Sequence, residues 1–352
     1  DWERAGTIPK ELWPRIAQLG FGGLYVSEDY GGSGLTRLDA TLVFEALAMA
    51  CPSVAAFLSI HNMCGGMIDK FGSPEAKARW LPGLCSMETV FSYALTEPGS
   101  GSDAAALRTR ADRTDAGWRL NGTKAFISGA GTSDVYVVMV RTGGEGPKGV
   151  SAIVVEAGTP GLSFGAQERK MGWNAQPTRQ LVFENARVPV ANRIGAEGEG
   201  FKIAMKGLDG GRLNIAACSL GGARLALETA QDYVTTRKQF GRPIGEFQAL
   251  QFRLADMATE LEAARLMVLR GAWAIDTGHP EKTKWCAMAK RLATDACFQI
   301  ADEALQLHGG YGYLKDYPLE RIVRDLRVHQ ILEGTNEIMQ VVVSRELVRG
   351  RA

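Results

Sequence analysis

The sequence predicts an α+β protein in three segments: an N-terminal α-helical domain over residues 1–91, a middle antiparallel β domain over 92–197 and a C-terminal α-helical bundle over 198–352. Three observations predict it. Apolar residues recur at the helix period before residue 91, short β-rich runs separated by turn signals occupy the stretch to about 193, and the helix period returns from 201 onward.

In the first segment Leu42, Phe44, Leu47, Ala48 and Cys51 recur near the helical spacing, and Gly31, Gly32 and Gly34 interrupt the pattern. Ser73-Pro74-Glu75 reads as a helix start, with proline at a position whose N–H has no partner in any case. In the middle segment Trp118 to Leu120, Ala125 to Ile127, Val135 to Val140, Val150 to Val155 and Gln180 to Phe183 read as strands, and Asn121-Gly122 as a hairpin turn between the first two. In the last segment four or five helices are predicted, over roughly 201–237, 246–276, 281–308, 317–328 and 335–350, joined by links short enough for antiparallel neighbours.

Composition narrows the function classes. With 45% hydrophobic and 22% charged residues, the 352-residue chain can bury a sizeable core. Forty basic against 39 acidic residues, with no basic run, make nucleic acid an unexpected partner. No apolar stretch reaches membrane-spanning length, and the start DWERAGTIPKELWPRI has neither a secretory nor an Arg-rich transit pattern. The six cysteines lack a C-x-x-C pair, which suits reduced thiols in a mitochondrial matrix or a bacterial cytoplasm. Four scattered histidines predict no metal site.

Glycine clusters at 99–101, 129–131 and 195–200 do not form G-x-G-x-x-G between a strand and a helix, so a dinucleotide-binding βαβ fold is disfavoured. The run YALTEPGSGSD, Tyr93 to Asp103, places small hydroxyls and glycines after a β-like run, where backbone amides can approach a planar or phosphorylated ligand. Read alone it is equally a surface turn.

Taken together and in order, YALTEPGSGSD, NGTKAFISGAGTSD, LDGGR, RKQFGRPIGEFQALQF, QLHGGYGY and ILEGTNEI resemble the motif set of the acyl-CoA dehydrogenase family, from about residue 10 to the C-terminus. Further segments, among them SIHNMC, GWNAQPTR and HGGYGYLKDY, resemble the family's isobutyryl-CoA branch. The family carries a further helix upstream, so the resemblance implies a shortened N-terminus. It also implies FAD, a homotetramer in which a neighbouring subunit helps hold the cofactor, and electron-transferring flavoprotein as electron acceptor.

The implied reaction needs a base for a weakly acidic α proton, a stabiliser for the enolate and a cofactor to accept hydride, which no side chain does. The resemblance makes Glu333 the base. The apolar Ile331-Leu332 pair before it is consistent with a pocket that raises a carboxylate's pKa, although an isolated Glu there equally reads as a solvated helix start. A branch of the family carries its base just before the arginine of LDGGR; here that position is Gly211, which cannot serve.

The resemblance further implies substrate contacts from Ser102, Asp209, Gly210, Gly211, Arg212 and Arg345. Around the flavin ring it implies Tyr93, Leu95, Thr96, Ser102, Phe126, Ile127 and Ser128. Toward the pyrophosphate and adenosine it implies Arg237, Phe240, Phe247, Gln248, Gln306, Leu307, His308, Gly309 and Gly310, with Thr335, Asn336 and Glu337 nearby. Arg237 offers planar donors suited to phosphate, whereas Asp209 and Arg212 at i, i+3 equally read as a plain helix pair. Trp173 and Phe164 equally read as sheet-core aromatics and are assigned no role.

Leu332 stands where straight-chain members carry Tyr, which implies room for a branched acyl group and isobutyryl-CoA, oxidised to methacrylyl-CoA in valine degradation, as substrate. Butyryl-CoA, 2-methylbutyryl-CoA and an acyl-CoA oxidase on the same scaffold remain the alternatives.

Overall fold

A computed structural model describes residues 2–349. Five helices come first: α1 (Trp2–Ala5), α2 (Leu12–Gln18), α3 (Arg37–Ala50), α4 (Pro52–Phe71) and α5 (Pro74–Cys85). Eight strands follow: β1 (Phe91–Ala94), β2 (Arg110–Thr114), β3 (Gly117–Ser128), β4 (Val135–Arg141), β5 (Val150–Glu156), β6 (Leu162–Phe164), β7 (Thr178–Val188) and β8 (Arg193–Ile194). The last segment holds α6 (Gly200–Thr236), α7 (Gln248–Asp276), α8 (Lys282–His308), α9 (Leu319–Arg327) and α10 (Asn336–Arg349). Each of these five helices begins and ends within two residues of the span that hydrophobic periodicity predicts. Ser73 caps α5 as the sequence suggests, its Oγ accepting the Ala76 N–H at 3.2 Å.

The chain divides into two compact units. The first comprises residues 1–36, 57–170 and 174–208; the second comprises 37–56, 171–173 and 209–352.

In the first unit the strands form one sheet in the order β6-β7-β3-β2-β4-β5-β8, with β1 beside β4. Most pairings are antiparallel, but β1–β4 and the single β2–β4 pair are parallel. Strand alternation gives β4 two buried faces. Val135, Val137 and Met139 pack with Cys64, Met67, Trp80 and Leu81 of α4 and α5, while Tyr136, Val138 and Val140 pack with Trp118, Leu120, Leu181 and Phe183.

Asn121-Gly122 is not the predicted hairpin turn. Residues 117–128 run as one strand, Thr114 pairs with Gly117, and the chain reverses at Asp115-Ala116. At Asn121-Gly122 the β3–β7 register shifts instead, and Gly122 takes φ 141° with the Thr109 backbone where a Cβ would sit. The local sequence matches a turn and a bulge equally well; pairing on both sides of β3 decides for the bulge.

In the second unit α6–α9 enclose a core of small and branched residues, including Leu213, Leu220, Leu261, Val268, Cys297, Ile300 and Leu326. Helix α3 joins this unit. Its Leu42 faces outward, contrary to the predicted apolar stripe, while Glu45 turns in and meets Arg265 Nη2 at 2.6 Å. A long planar cation at 265 needs an acceptor, and the inward carboxylate supplies it.

Candidate active site

Three residues before α10 the chain makes a tight left-handed turn. Glu333 has φ 56° and Gly334 φ 90°, and Thr335 then caps α10, its Oγ1 accepting the Ile338 N–H at 3.4 Å. A glutamate at positive φ is uncommon and costs free energy, so the surrounding structure must hold it there.

Glu333 Oε2 is buried and accepts no hydrogen bond among the described residues. Burial pushes the carboxyl up to about 7, against the opposing pull of the Arg212 and Lys290 charges. The Glu333 N–H, too, has no backbone acceptor among the described residues. The turn therefore presents a carboxyl whose pKa burial raises to about 7, and in the same residue an N–H without a backbone acceptor among the described residues.

Helix α6 supplies Asp209 to Arg212. Arg212 is buried, its Nη1 donates to Asp209 Oδ1 at 2.8 Å, and its Nε points to the Glu333 carbonyl oxygen at 3.5 Å. Asp209 is held further by the Thr283 hydroxyl at 2.8 Å, and burial raises its pKa. Gly210 lets the Arg37 guanidinium lie where a Cβ would be, and Gly211 is buried in the same helix turn. The structure thus brings Asp209, Gly210, Gly211, Arg212 and Glu333 together in the second unit. Arg345 stands on the exposed face of α10.

In the first unit β3 carries a second register shift, between Lys124 and Ile127. Phe126 there has φ 58° and is 67% exposed, so the bulge turns an aromatic ring out of the sheet. Ile127 points the other way into the sheet core and is 3% exposed, which leaves only its backbone for a ligand. The segment after β1 is laced to the same strand. Lys124 Nζ donates to Leu95 O at 2.9 Å and to Glu97 Oε1 at 2.8 Å, and Ala125 N donates to Thr96 O at 2.8 Å. Tyr93, Leu95 and Thr96 are thereby held half-buried beside the bulge, and Ser92 Oγ donates to Ser128 O at 2.6 Å. Ser102 lies exposed in the following loop.

A third group lies in the second unit. A groove of ≈ 430 Å³ is lined by Tyr233, Arg237, Gln306, His308, Gly309 and Gly310, among others. Gly309 has φ 56°, and no atom approaches the Cβ position of Gly309 or Gly310, so the backbone at the C-terminus of α8 is open to a ligand. His308 donates through Nδ1 to Ala304 O at 2.8 Å and stacks on Tyr233, centroids 4.0 Å apart. Burial lowers its pKa. Leu307 belongs to the core. Phe240 is 92% exposed and meets Phe247 edge-on, with Gln248 exposed at the start of α7.

Asn336 is buried, with its polar atoms already engaged: Oδ1 by Lys290 Nζ and Thr294 Oγ1, Nδ2 with Asp295 Oδ1. Glu337 is exposed.

Sequence reading passed over Lys290, Tyr233 and His329 as site residues and gave Trp173 no role. Trp173 is not merely a sheet aromatic: residues 171–173 pack with the second unit, where its N–H donates to Asp325 Oδ1 at 2.6 Å and its Nε1–H to His329 Nε2 at 3.2 Å. Lys290 left a signal, since it occupies a core position of α8 in register with Cys286, Ala293 and Cys297.

The comparisons agree with this architecture. Residues 1–88 match the acyl-CoA dehydrogenase N-terminal domain, 92–186 its middle domain and 198–348 its C-terminal domain. The chain belongs to the acyl-CoA dehydrogenase family. Within it, the chain is 57% identical to the mitochondrial isobutyryl-CoA dehydrogenase of Bos taurus, over 99% of this chain and 84% of that protein. It also superposes on butyryl-CoA dehydrogenase from Megasphaera elsdenii with a TM-score of 0.95 at 41% identity, covering 98% of this chain and 91% of that one. A structure of PigA with FAD and proline matches with a TM-score of 0.95 at 33% identity, over 98% and 91% of the two chains.

Proposed function

We propose that this chain dehydrogenates isobutyryl-CoA to methacrylyl-CoA, with Glu333 as the base and FAD as cofactor. The observation that carries it is the Glu333 turn, with a buried carboxylate oxygen lacking a partner and a pKa pushed up to about 7. The 57% identity to the Bos taurus enzyme supports the substrate.

The residues suit FAD. Phe126 offers an exposed aromatic face, Thr96 and Ser128 add polar groups beside it, and the Arg237 groove with its open glycine backbone offers donors for phosphate. Bound FAD would supply the hydride acceptor for the β carbon.

The chain's own residues perform the remaining work. Glu333, deprotonated above about pH 7, takes the α proton. The Glu333 N–H donates to the thioester oxygen and stabilises the charge that develops there. Arg212, fixed by Asp209, keeps a positive charge near the carboxylate, and with Ser102, Gly210, Gly211 and Arg345 contacts the CoA-bearing substrate. Leu332 leaves room for the branch at the α carbon.

The active form is a homotetramer, a reading supported by the exposed aromatic side chains of Phe240 and Tyr313, which a neighbouring subunit would cover. Electrons pass on to electron-transferring flavoprotein. No helix among the described residues is long and apolar enough to cross a membrane, and the compartment is the mitochondrial matrix or a bacterial cytoplasm.

The test is anaerobic bleaching of the flavin band on adding isobutyryl-CoA, then butyryl-CoA. Faster bleaching by isobutyryl-CoA, lost in Glu333→Gln, is the expected result. A yellow protein bleached by neither removes the substrate assignment, and a colourless protein that takes up no FAD removes the function.

A further inference from the structure

Lys290 lies in α8 with no exposed surface, on the helix that also carries the core residues Cys286, Ala289, Ala293 and Cys297. A buried ammonium is costly unless its hydrogen bonds are satisfied, and none of the chemistry above uses it.

Its bonds all lead to the turn that carries Glu333. Nζ donates to Gly334 O at 2.8 Å and to Asn336 Oδ1 at 2.8 Å. Asn336 is fixed in turn by Thr294 and Asp295, one turn further along α8. Glu333 holds positive φ, which for a residue with a side chain persists only where the surrounding structure imposes it, and Gly334 beside it adopts positive φ freely. Arg212 Nε, at 3.5 Å from the Glu333 carbonyl, is a weak tie. The two short Lys290 bonds are the strong one.

We propose that Lys290 is a positioning residue for the base: it clamps the Glu333–Gly334 turn through the Gly334 carbonyl, and its charge favours the ionised carboxylate. The inference rests on Glu333 being the base and deepens that reading. Lys290 faces Glu333, Asp295 and Glu337, which favour its charge, and Arg212, which opposes it; His329 also feels that charge. Burial lowers the Lys290 pKa and raises that of Glu333, and the attraction between the two charges opposes both shifts.

Infrared difference titration of the FAD-loaded protein reads the Glu333 carboxyl without substrate, the band being assigned by its loss in Glu333→Gln. Lys290→Met and Lys290→Gln are expected to raise its midpoint by about half a pH unit or more, while Lys290→Arg, which keeps the charge, restores it. The pH limb of flavin bleaching should move with the infrared midpoint.

An unmoved midpoint in whichever neutral variant folds overturns the proposal. Failure of both neutral variants to fold assigns Lys290 to the core alone and overturns it equally. If isobutyryl-CoA does not bleach the wild-type protein, the substrate assignment falls while the infrared result still decides the role of Lys290.

Discussion

The indole N–H of Trp173 donates to His329 Nε2 at 3.2 Å, and this single bond fixes the tautomer of a buried histidine. With Nε2 accepting, Nδ1 carries the proton and donates to Ser219 Oγ at 2.7 Å, and that hydroxyl donates to Ile215 O at 2.9 Å. Gly172 permits the approach, since a Cβ there would meet Arg324 O at 2.2 Å. Trp173→Phe keeps the ring but leaves His329 Nε2 unsatisfied, and should cost about 1 to 3 kcal/mol in denaturant unfolding. An unchanged midpoint would mean that the bond contributes nothing.

Acid should destabilise the protein in a defined window. Burial holds His61 down to about 4 and His329 to about 3, both below the ordinary histidine value. His61 is neutral in the fold, accepting the Phe91 N–H at Nδ1 and donating from Nε2 to Leu84 O. The unfolded chain binds protons first as pH drops, so this stability is complete above about 6.5 and is lost as pH falls toward 4 and 3. His61→Gln should flatten the pH dependence of the melting temperature in this window.

Glu333→Gln should lose bleaching yet gain stability. The folded carboxyl is raised from its ordinary value to about 7, so the wild-type fold is penalised increasingly as pH rises from about 4.5 through 7. Glutamine does not titrate. The variant should be more stable on the order of 1 to 3 kcal/mol at pH 8 and nearly equal at pH 4. A constant offset across pH would contradict the raised pKa.

Phe126→Gly separates backbone strain from the cofactor face. The left-handed conformation at Phe126 is costly for a side chain and free for glycine, so the apoprotein should melt no lower than wild type. FAD should bind at least several-fold more weakly for want of the aromatic face. Equal FAD affinity would remove Phe126 from the flavin site.

Leu332→Tyr should shift preference from isobutyryl-CoA toward butyryl-CoA. Initial rates on the two substrates measure it. One methyl group is worth only about 1 to 3 kcal/mol, so the ratio should change by roughly tenfold to a hundredfold, and an unchanged ratio sinks the explanation.

The order of helices, sheet and bundle was legible because it rests on local periodicity and caps: five helices of the last segment and the Ser73 cap stand where spacing placed them. The cluster of Asp209, Arg212 and Glu333 was legible only by resemblance, since no spacing rule joins residues more than a hundred positions apart. Pairing on both edges of β3 made Asn121-Gly122 a bulge and turned Phe126 outward, although the dipeptide itself suits a turn. Trp173 and Lys290 carried no assigned role in the sequence, and packing set His329 against one and Gly334 against the other. Periodicity is written in neighbouring residues, whereas the partner of a buried polar group depends on which distant element packs over it; the sequence therefore determined the elements, and only the tertiary structure decided what holds Glu333 in place.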